Sequence, residues 1–249
     1  DKRYGLKDEH LAEISTINYA NAKLNPNAQT RTWYMNYDHA MSRDEFNGTI
    51  GGRIHISDCS QVTDGAVALM LASPEYAKKW ADRNGVSLDD IPRIKGWGHN
   101  TARIRFEDKV AESANDEYVL PHVRSTVTNA MKRAGIADVS EIDSIETHDC
   151  FTTSEYMAID HFGLTAPGQS WKAVESGEIA LGGKTPINPS GGLIGAGHPV
   201  GATGVRQVLD SYKQVTGQAG EYQVEGAKNV QTLNIGGSGT TSVSFVVGK

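Results

Sequence analysis

The chain has 249 residues, 38% of them hydrophobic and 22% charged, and a formal net charge of −6. That length carries one large domain or two ordinary ones with real cores, and the composition argues against disorder. The mild acidity leaves no footprint for non-specific nucleic-acid binding, and no window approaches the ~18 consecutive apolar residues of a membrane span. The opening DKRYGLKDEHLAEI has no apolar signal-peptide core, and the closing SFVVGK is no receptor-read address. Two cysteines, Cys59 and Cys150, are too few for a disulfide framework. These features together predict a cytoplasmic protein with reduced thiols.

Leu11, Ile14, Ile17 and Leu24 fall near helical spacing over 8–24, and NPN at 25–27 stops the helix. Residues 25–57 are polar and irregular, which predicts a loop-rich subdomain. DCSQVTDGAVALMLAS at 58–73 joins a small-residue turn to an apolar run, Ala66 to Ala72, read as a buried strand whose sheet partners lie outside the chain. SPEYAKKWADRNG at 73–85 predicts a charged helix closed at its glycine.

From Ile91 the pattern becomes regular. RIKGWGHNTARI predicts a strand. Leu120, Val123, Val127, Met131 and Ala134 then share a helix face closed by Gly135, and IDSIETHDC predicts the next strand. In TTSEYMAIDHFG, Thr152 stands three residues before Glu155, the pattern of a capping box, and the helix ends at Gly163. Val205, Val208, Leu209, Tyr212 and Val215 mark another amphipathic helix. NVQTLNI and TSVSFVVG predict two last strands across GGSGT, the second with Val243, Phe245 and Val247 on a half-buried face. Alternating strands and helices predict a layered α/β domain ending in an antiparallel pair.

Six glycines fall within residues 191–204 and permit close backbone approach. The spacing is wrong for a dinucleotide loop, because Gly201 comes one position too late after Gly195 and Gly197, and the Gly-Lys-Ser/Thr of a phosphate loop is absent. His198, set between Gly197 and Pro199, is a functional candidate; on spacing alone a satisfied structural histidine stays equally open. In HDCF at 148–151, an extended strand end would point His148 and Cys150 to one side and Asp149 to the other. Three consecutive residues rarely converge on one ion, so no metal site is expected there. Buried cysteines are usually inert packing residues, which is the reading for Cys59.

NPSGG followed by GHPVGATGVR closely resembles the thiolase signature. HDCF narrows the resemblance to the sterol-carrier-protein-type thiolases. In NIGGSGTT, Ile235 and Gly236 stand where other thiolases carry a C-terminal cysteine, and DCSQVTDGA is similar to the stretch before the last strand of the first thiolase domain. The resemblance implies a thiolase fold: a layered αβα(βα) domain with a mixed sheet, plus part of a loop domain. It divides the chain into loop-domain residues 1–57, a last helix and strand segment of the N-terminal domain at 58–90, and the C-terminal domain at 91–249. Most of the N-terminal domain would then be absent.

The activity implied is that of an acyl-CoA C-acyltransferase, joining or cleaving 3-oxoacyl-CoA by a Claisen reaction. Coenzyme A thioesters are the substrates, no cofactor is permanently bound, and the full-length protein would be a homodimer or homotetramer. Residue by residue, His198 resembles the histidine that activates the nucleophile and lines an oxyanion hole. Cys150 resembles the acid/base, and His148 an oxyanion donor. Gly236 and Gly237 resemble the loop closing the nucleophile's oxyanion hole, and Ser60 a serine touching the pantetheine arm of CoA. Neither cysteine matches the nucleophile, so this chain is expected to lack turnover alone. The alternative is a thiolase-like aldolase or a non-catalytic partner-binding subunit; Cys150 and the two histidines favour the acyltransferase.

Overall fold

The computed structural model describes residues 3–249. Residues 1 and 2, at the head of the expected loop-domain segment, lie outside the described residues. Helix α1 (Asp8–Leu24) forms as its periodicity predicts, and Asn25, extended at φ −92, ends it. The polar stretch after it holds the short helix α2 (Tyr37–Met41) and a small antiparallel pair, β1 (Thr49–Gly51) with β2 (Ile54–His55). Helix α3 (Pro74–Asn84) starts where the Ser73 side chain accepts from the Tyr76 amide and stops at left-handed Gly85. The regular part follows: β3 (Arg93–Thr101), α4 (Phe106–Glu112), α5 (Pro121–Ala134), β4 (Ser144–Glu146), α6 (Thr152–Phe162) and α7 (Trp171–Glu175). The chain then forms α8 (Gly192–Ala196), α9 (Thr203–Thr216), β5 (Asn229–Thr232), β6 (Asn234–Gly236) and β7 (Thr241–Gly248).

These strands make one mixed sheet in the order β3-β7-β5-β4, with β6 also on β7. β3 and β7 run antiparallel from Arg93 opposite Gly248 to Thr101 opposite Thr241, while β4 and β5 are parallel. Val123, Val127 and Met131 of α5, Ile159 and Phe162 of α6, and Ile14 and Ile17 of α1 pack with Ile145 and Val246 in the main core. Val215 of α9 covers the other face with Val230 and Val247. Each such side chain, taken out of water, contributes roughly 1.5–3 kcal/mol. Layers therefore flank the sheet on both faces, as the alternation predicts. No described helix is long and apolar enough to cross a membrane.

Four expectations change. The run 66–72 is not a buried strand: it has no ladder partner among the described residues, and Met70 and Leu71 are 97% and 78% exposed. Apolarity alone leaves extended backbone unsatisfied, and the partner strands expected for this run are not among the described residues. The Thr152/Glu155 capping box does not form, because Phe151 is the N-cap, the Thr152 hydroxyl donates to Asp58 Oδ1 at 2.7 Å, and Glu155 turns inward. On β7 Ser242, Ser244 and Val246 are buried and Val247 is buried as expected, while Val243 and Phe245 are half-buried and line a cleft. Thr126 and Gln231 hydrogen-bond those serines at 2.7 and 3.0 Å, which is why polar side chains fit there. Finally, α9 buries Thr203, Gln207, Asp210, Ser211 and Gln214 beside Val215, while Val205 and Tyr212 of its expected apolar face are exposed. The glycine-rich stretch before it does allow close approach: it contains α8, pressed so closely on α1 that a Cβ at Gly195 would meet the Asn18 carbonyl oxygen at 2.6 Å.

Candidate active site

The chain leaves β4 as a turn at 147–150, at the carboxyl end of the parallel pair, where open α/β sheets place their ligand sites. The strand itself stops at Glu146, so His148 and Cys150 are aimed by hydrogen bonds and not by a pleat. The Thr147 N–H donates to Asn188 Oδ1 at 2.8 Å, and Gln207 Nε2 donates to the Thr147 carbonyl at 2.9 Å. Asp149 does point away, into the protein. Its carboxylate accepts from the Leu193 and Ile194 amides at 2.6 and 3.1 Å, the first free N–H groups of α8. A Cβ on Gly192 would lie 2.2 Å from the same carboxylate, and Gly192 holds a φ of 63, so glycine is required there twice over.

A buried polar layer supports this turn. Asn18 Nδ2 donates to Asp149 Oδ2 at 3.1 Å and to Glu155 Oε2 at 2.7 Å, and Asn188 Nδ2 donates to that same Glu155 oxygen at 2.7 Å. Burial pushes the Glu155 carboxyl up to about 8, with the Asp149 charge adding to the effect. Burial also raises Asp149 to about 6, against the opposing pull of the α8 amides. Glu146, again chiefly through burial and then the Asp210 charge, is raised to about 8; Ser190 caps both its oxygens and Arg206 links Ser190 to Asp210.

His198 enters from the loop between α8 and α9. Its N–H donates to the Gln61 carbonyl at 2.9 Å, and its carbonyl accepts from the Thr63 amide at 3.4 Å. The Ser60 amide donates to the Cys150 carbonyl at 2.9 Å. Residues 60–63 thus staple the Cys150 turn to the His198 loop. His148, Cys150, His198, Gly236 and Gly237 all line one cleft of about 1590 Å³. Ser60 reaches the site through its backbone and does not line that cleft. Cys59 instead donates its thiol to the His55 carbonyl at 3.3 Å.

The histidine rings stand edge to face, centroids 5.1 Å apart. Burial, then the neighbouring His198, drives His148 down to about 4, with a hydrogen bond to Asn234 opposing; burial, then Arg206, also lowers His198. Both rings are therefore neutral near pH 7, each with one proton. Nδ1 of His148 is buried without a partner. A buried unpaired donor is costly, which assigns the proton to Nε2. His198 Nδ1 lies 2.7 Å from Thr203 Oγ1, and that hydroxyl donates to the Pro199 carbonyl. One assignment satisfies both contacts: His198 carries its proton on Nδ1 and keeps a lone pair on Nε2. The site therefore holds one imidazole donor and one imidazole base. Burial raises the Cys150 thiol above its ordinary range, with the Ser154 hydroxyl 3.5 Å from Sγ opposing, so the resting group is a thiol. The N–H groups of Gly237 and Ser238 meet no acceptor among the described residues.

The sequence signals that single out His148, Cys150, His198 and Gly237 do lead to one cleft. Asn18, Glu155, Asn188 and the 60–63 staple escape those signals. Asn18 could have been found, because it follows Ile14 by one helical turn and so shares its buried face. The partners of Asn188 lie more than thirty residues away, beyond any local pattern.

A family model described as thiolase C-terminal domain-like matches residues 106–249. An acetyl-CoA acetyltransferase of Methanothermobacter thermautotrophicus is 32% identical over 243 residues, spanning 98% of this chain and 59% of that protein. Sterol carrier protein 2 of Homo sapiens is 32% identical over 244 residues, spanning 98% of this chain and 42% of that protein. Among solved structures, a chain of an Ltp2-ChsH2(DUF35) aldolase superposes with a TM-score of 0.78 at 20% identity, covering 99% of this chain and 60% of the other, a likeness of fold. The chain thus spans about half the length of these relatives.

Proposed function

The chain belongs to the thiolase C-terminal-domain-like family, and on that premise we propose that it carries the acid/base and oxyanion-binding part of an acyl-CoA C-acyltransferase. The observation that carries the reading is the differentiated trio in one cleft: a thiol at Cys150, a donor at His148 and a base at His198. In the condensing direction, Cys150, once its thiol proton has passed to solvent, takes as thiolate the proton from the carbon next to a thioester carbonyl. Nε2–H of His148, held by Asn234 in the resting site, turns to donate to the oxygen that becomes enolate. His198 Nε2 accepts the proton of the thiol nucleophile that receives the acyl group. That nucleophile has no match in this chain and belongs, in this proposal, to the part of the relatives' length that the chain does not span. The apolar walls of the cleft, including Val110, Met157 and Phe245, suit the acyl chain of a CoA thioester.

Proton abstraction from carbon needs no nucleophile, so it can be measured on residues 1–249. The chain should exchange the C2 hydrogens of acetyl-CoA for deuterium in heavy water. Cys150→Ala should slow exchange by a factor on the order of 10²–10⁴, the usual worth of a positioned acid/base. Exchange that is absent in the wild type, or indifferent to Cys150→Ala, contradicts the assignment. The aldolase reading requires instead that the chain cleave a 3-hydroxyacyl-CoA to a carbonyl product, which the same preparation can be assayed for.

A further inference from the structure

The turn that joins β6 to β7 has an unusual backbone. Gly237, Ser238 and Gly239 hold φ values of 58, 55 and 80, three successive residues in the left-handed region. Ser238 pays a steric cost there that glycine does not, so the turn persists only if its surroundings hold it. What holds it is a buried lysine. Lys109 of α4 is 3% exposed, and its Nζ donates to the Arg103 carbonyl at 2.9 Å, the Ile104 carbonyl at 3.3 Å and Thr240 Oγ1 at 3.0 Å. Its three donors are fully used, and no carboxylate pairs with it among the described residues. The Thr240 hydroxyl passes the restraint on, donating to the Gly237 carbonyl at 2.6 Å, while the Thr240 amide donates to the Gly236 carbonyl at 2.9 Å. His122 Nε2 fastens the far side of the turn at the Gly239 carbonyl, 2.7 Å away.

Helix α4 also contributes Phe106 and Val110 to the apolar wall of the cleft. The helix that lines the apolar wall of the cleft therefore also holds the turn whose Gly237 and Ser238 amides remain free. We propose that Lys109 is a positioning residue which, through Thr240, aims those amides at the thioester carbonyl oxygen. The inference rests on the acyl-CoA reading above and deepens it: recognition of the carbonyl oxygen depends on a lysine that never touches substrate. A backbone amide in a left-handed turn aims well only if the turn cannot relax, and a buried ammonium with three fixed acceptors is a stiffer anchor than a surface contact.

Two non-cleavable butyryl-CoA analogues test this on the 249-residue chain. In the first a methylene replaces the thioester sulfur and the carbonyl is kept; in the second that carbonyl is also a methylene. Wild type should bind the ketone roughly tenfold more tightly than its oxygen-free counterpart, the scale of a well-aimed hydrogen bond. Lys109→Met and Thr240→Val should each lower that preference about threefold or more, with His148 left as the remaining donor, while leaving affinity for the oxygen-free analogue within about twofold. Thr240→Ser, which keeps the hydroxyl, should retain it. A merely structural role would weaken both analogues alike, and that result overturns the proposal, as does an undiminished preference in both variants. If Lys109→Met fails to fold, the Thr240→Val and Thr240→Ser pair decides alone. Wild type that binds neither analogue overturns the acyl-CoA reading itself. Wild type that binds both equally overturns only the positioning role.

Discussion

Two regions of this molecule invert what hydropathy alone assigns to them. The layer beneath the cleft, with Asn18, Glu146, Asp149, Glu155 and Asn188, is polar and buried. The arm at 64–72 carries Val67, Leu69, Met70 and Leu71, yet most of it is exposed and outside any ladder. The difference lies in hydrogen-bond satisfaction. In the polar layer most groups are paired: Asp149 meets two α8 amides and Asn18, and Glu155 Oε2 meets two asparagines, with Glu155 Oε1 and Asn18 Oδ1 left unpartnered. The arm can offer apolar surface but finds no acceptors and donors for its backbone. Completing polar groups outweighs the apolarity of a short segment, because an unsatisfied buried group costs about 1–3 kcal/mol. The boundary between the two behaviours is sharp. Residues 60–63 are pinned between Cys150 and His198, and the chain loses that pairing immediately afterwards.

The comparison breaks most easily at Asp149. Asp149→Ala strands the Leu193 and Ile194 amides and should lower the unfolding free energy by about 3–5 kcal/mol, read from urea titration. A loss below about 1 kcal/mol would mean that water replaces the carboxylate. The next effect concerns pH. Burial holds Glu146 and Glu155 at about 8 in the folded chain, above the ordinary glutamate value of ~4.3. The folded chain then keeps protons that the unfolded chain has released. Their contribution is complete below the ordinary value and is lost as pH rises toward 8. His148, lowered to about 4, works with the opposite sign below its ordinary ~6.5, so the window from 6.5 to 8 isolates the glutamates. Stability should fall across that window, by up to ~1.4 kcal/mol per pH unit for each proton, and Glu155→Gln should flatten the slope. An unchanged slope in that variant would place the proton elsewhere. The smallest effect sharpens the contrast from the other side. Met70→Lys with Leu71→Lys should change the stability of this chain by no more than about 0.5 kcal/mol, as exposed positions do. A loss of 2 kcal/mol would show the arm to be packed.

The same physics explains which parts were legible from the residues. Helices α1, α5 and α6 bury apolar residues at helical spacing, and their ends carry glycine or Asn-Pro, so local signals suffice there; α9 keeps its expected span but turns Gln207, Asp210 and Gln214 inward, which its apolar pattern does not reveal. The antiparallel pairing of β6 with β7 follows from two β-rich runs across a glycine-rich turn. The motifs around His148, Cys150 and His198 name the residues that meet at the cleft. What was not legible depends on partners far away in sequence. Glu155 reads as a helix cap until Asn18, 137 positions earlier, draws it inward. Ser242 and Ser244 read as the outer face of β7 until Thr126 and Gln231 are seen to satisfy them. Lys109 stands out in no sequence pattern; only the carbonyls of Arg103 and Ile104 reveal it as buried. Hydropathy marks where water is excluded only when the polar atoms have been paired, and pairing across the chain is not a local property.

The central claim is that the two imidazoles of the cleft are neutral and opposite: His148 protonated on Nε2, His198 on Nδ1. Nitrogen-15 correlation spectra of the histidine side chains, assigned with His148→Ala and His198→Ala and followed from pH 8 to pH 4, report each tautomer and each titration directly. The account predicts Nε2–H for His148, Nδ1–H for His198, no imidazolium at either ring at pH 7, and a His148 that stays neutral until about pH 4. A His148 that charges near 6.5, or two rings in the same tautomer, would contradict it.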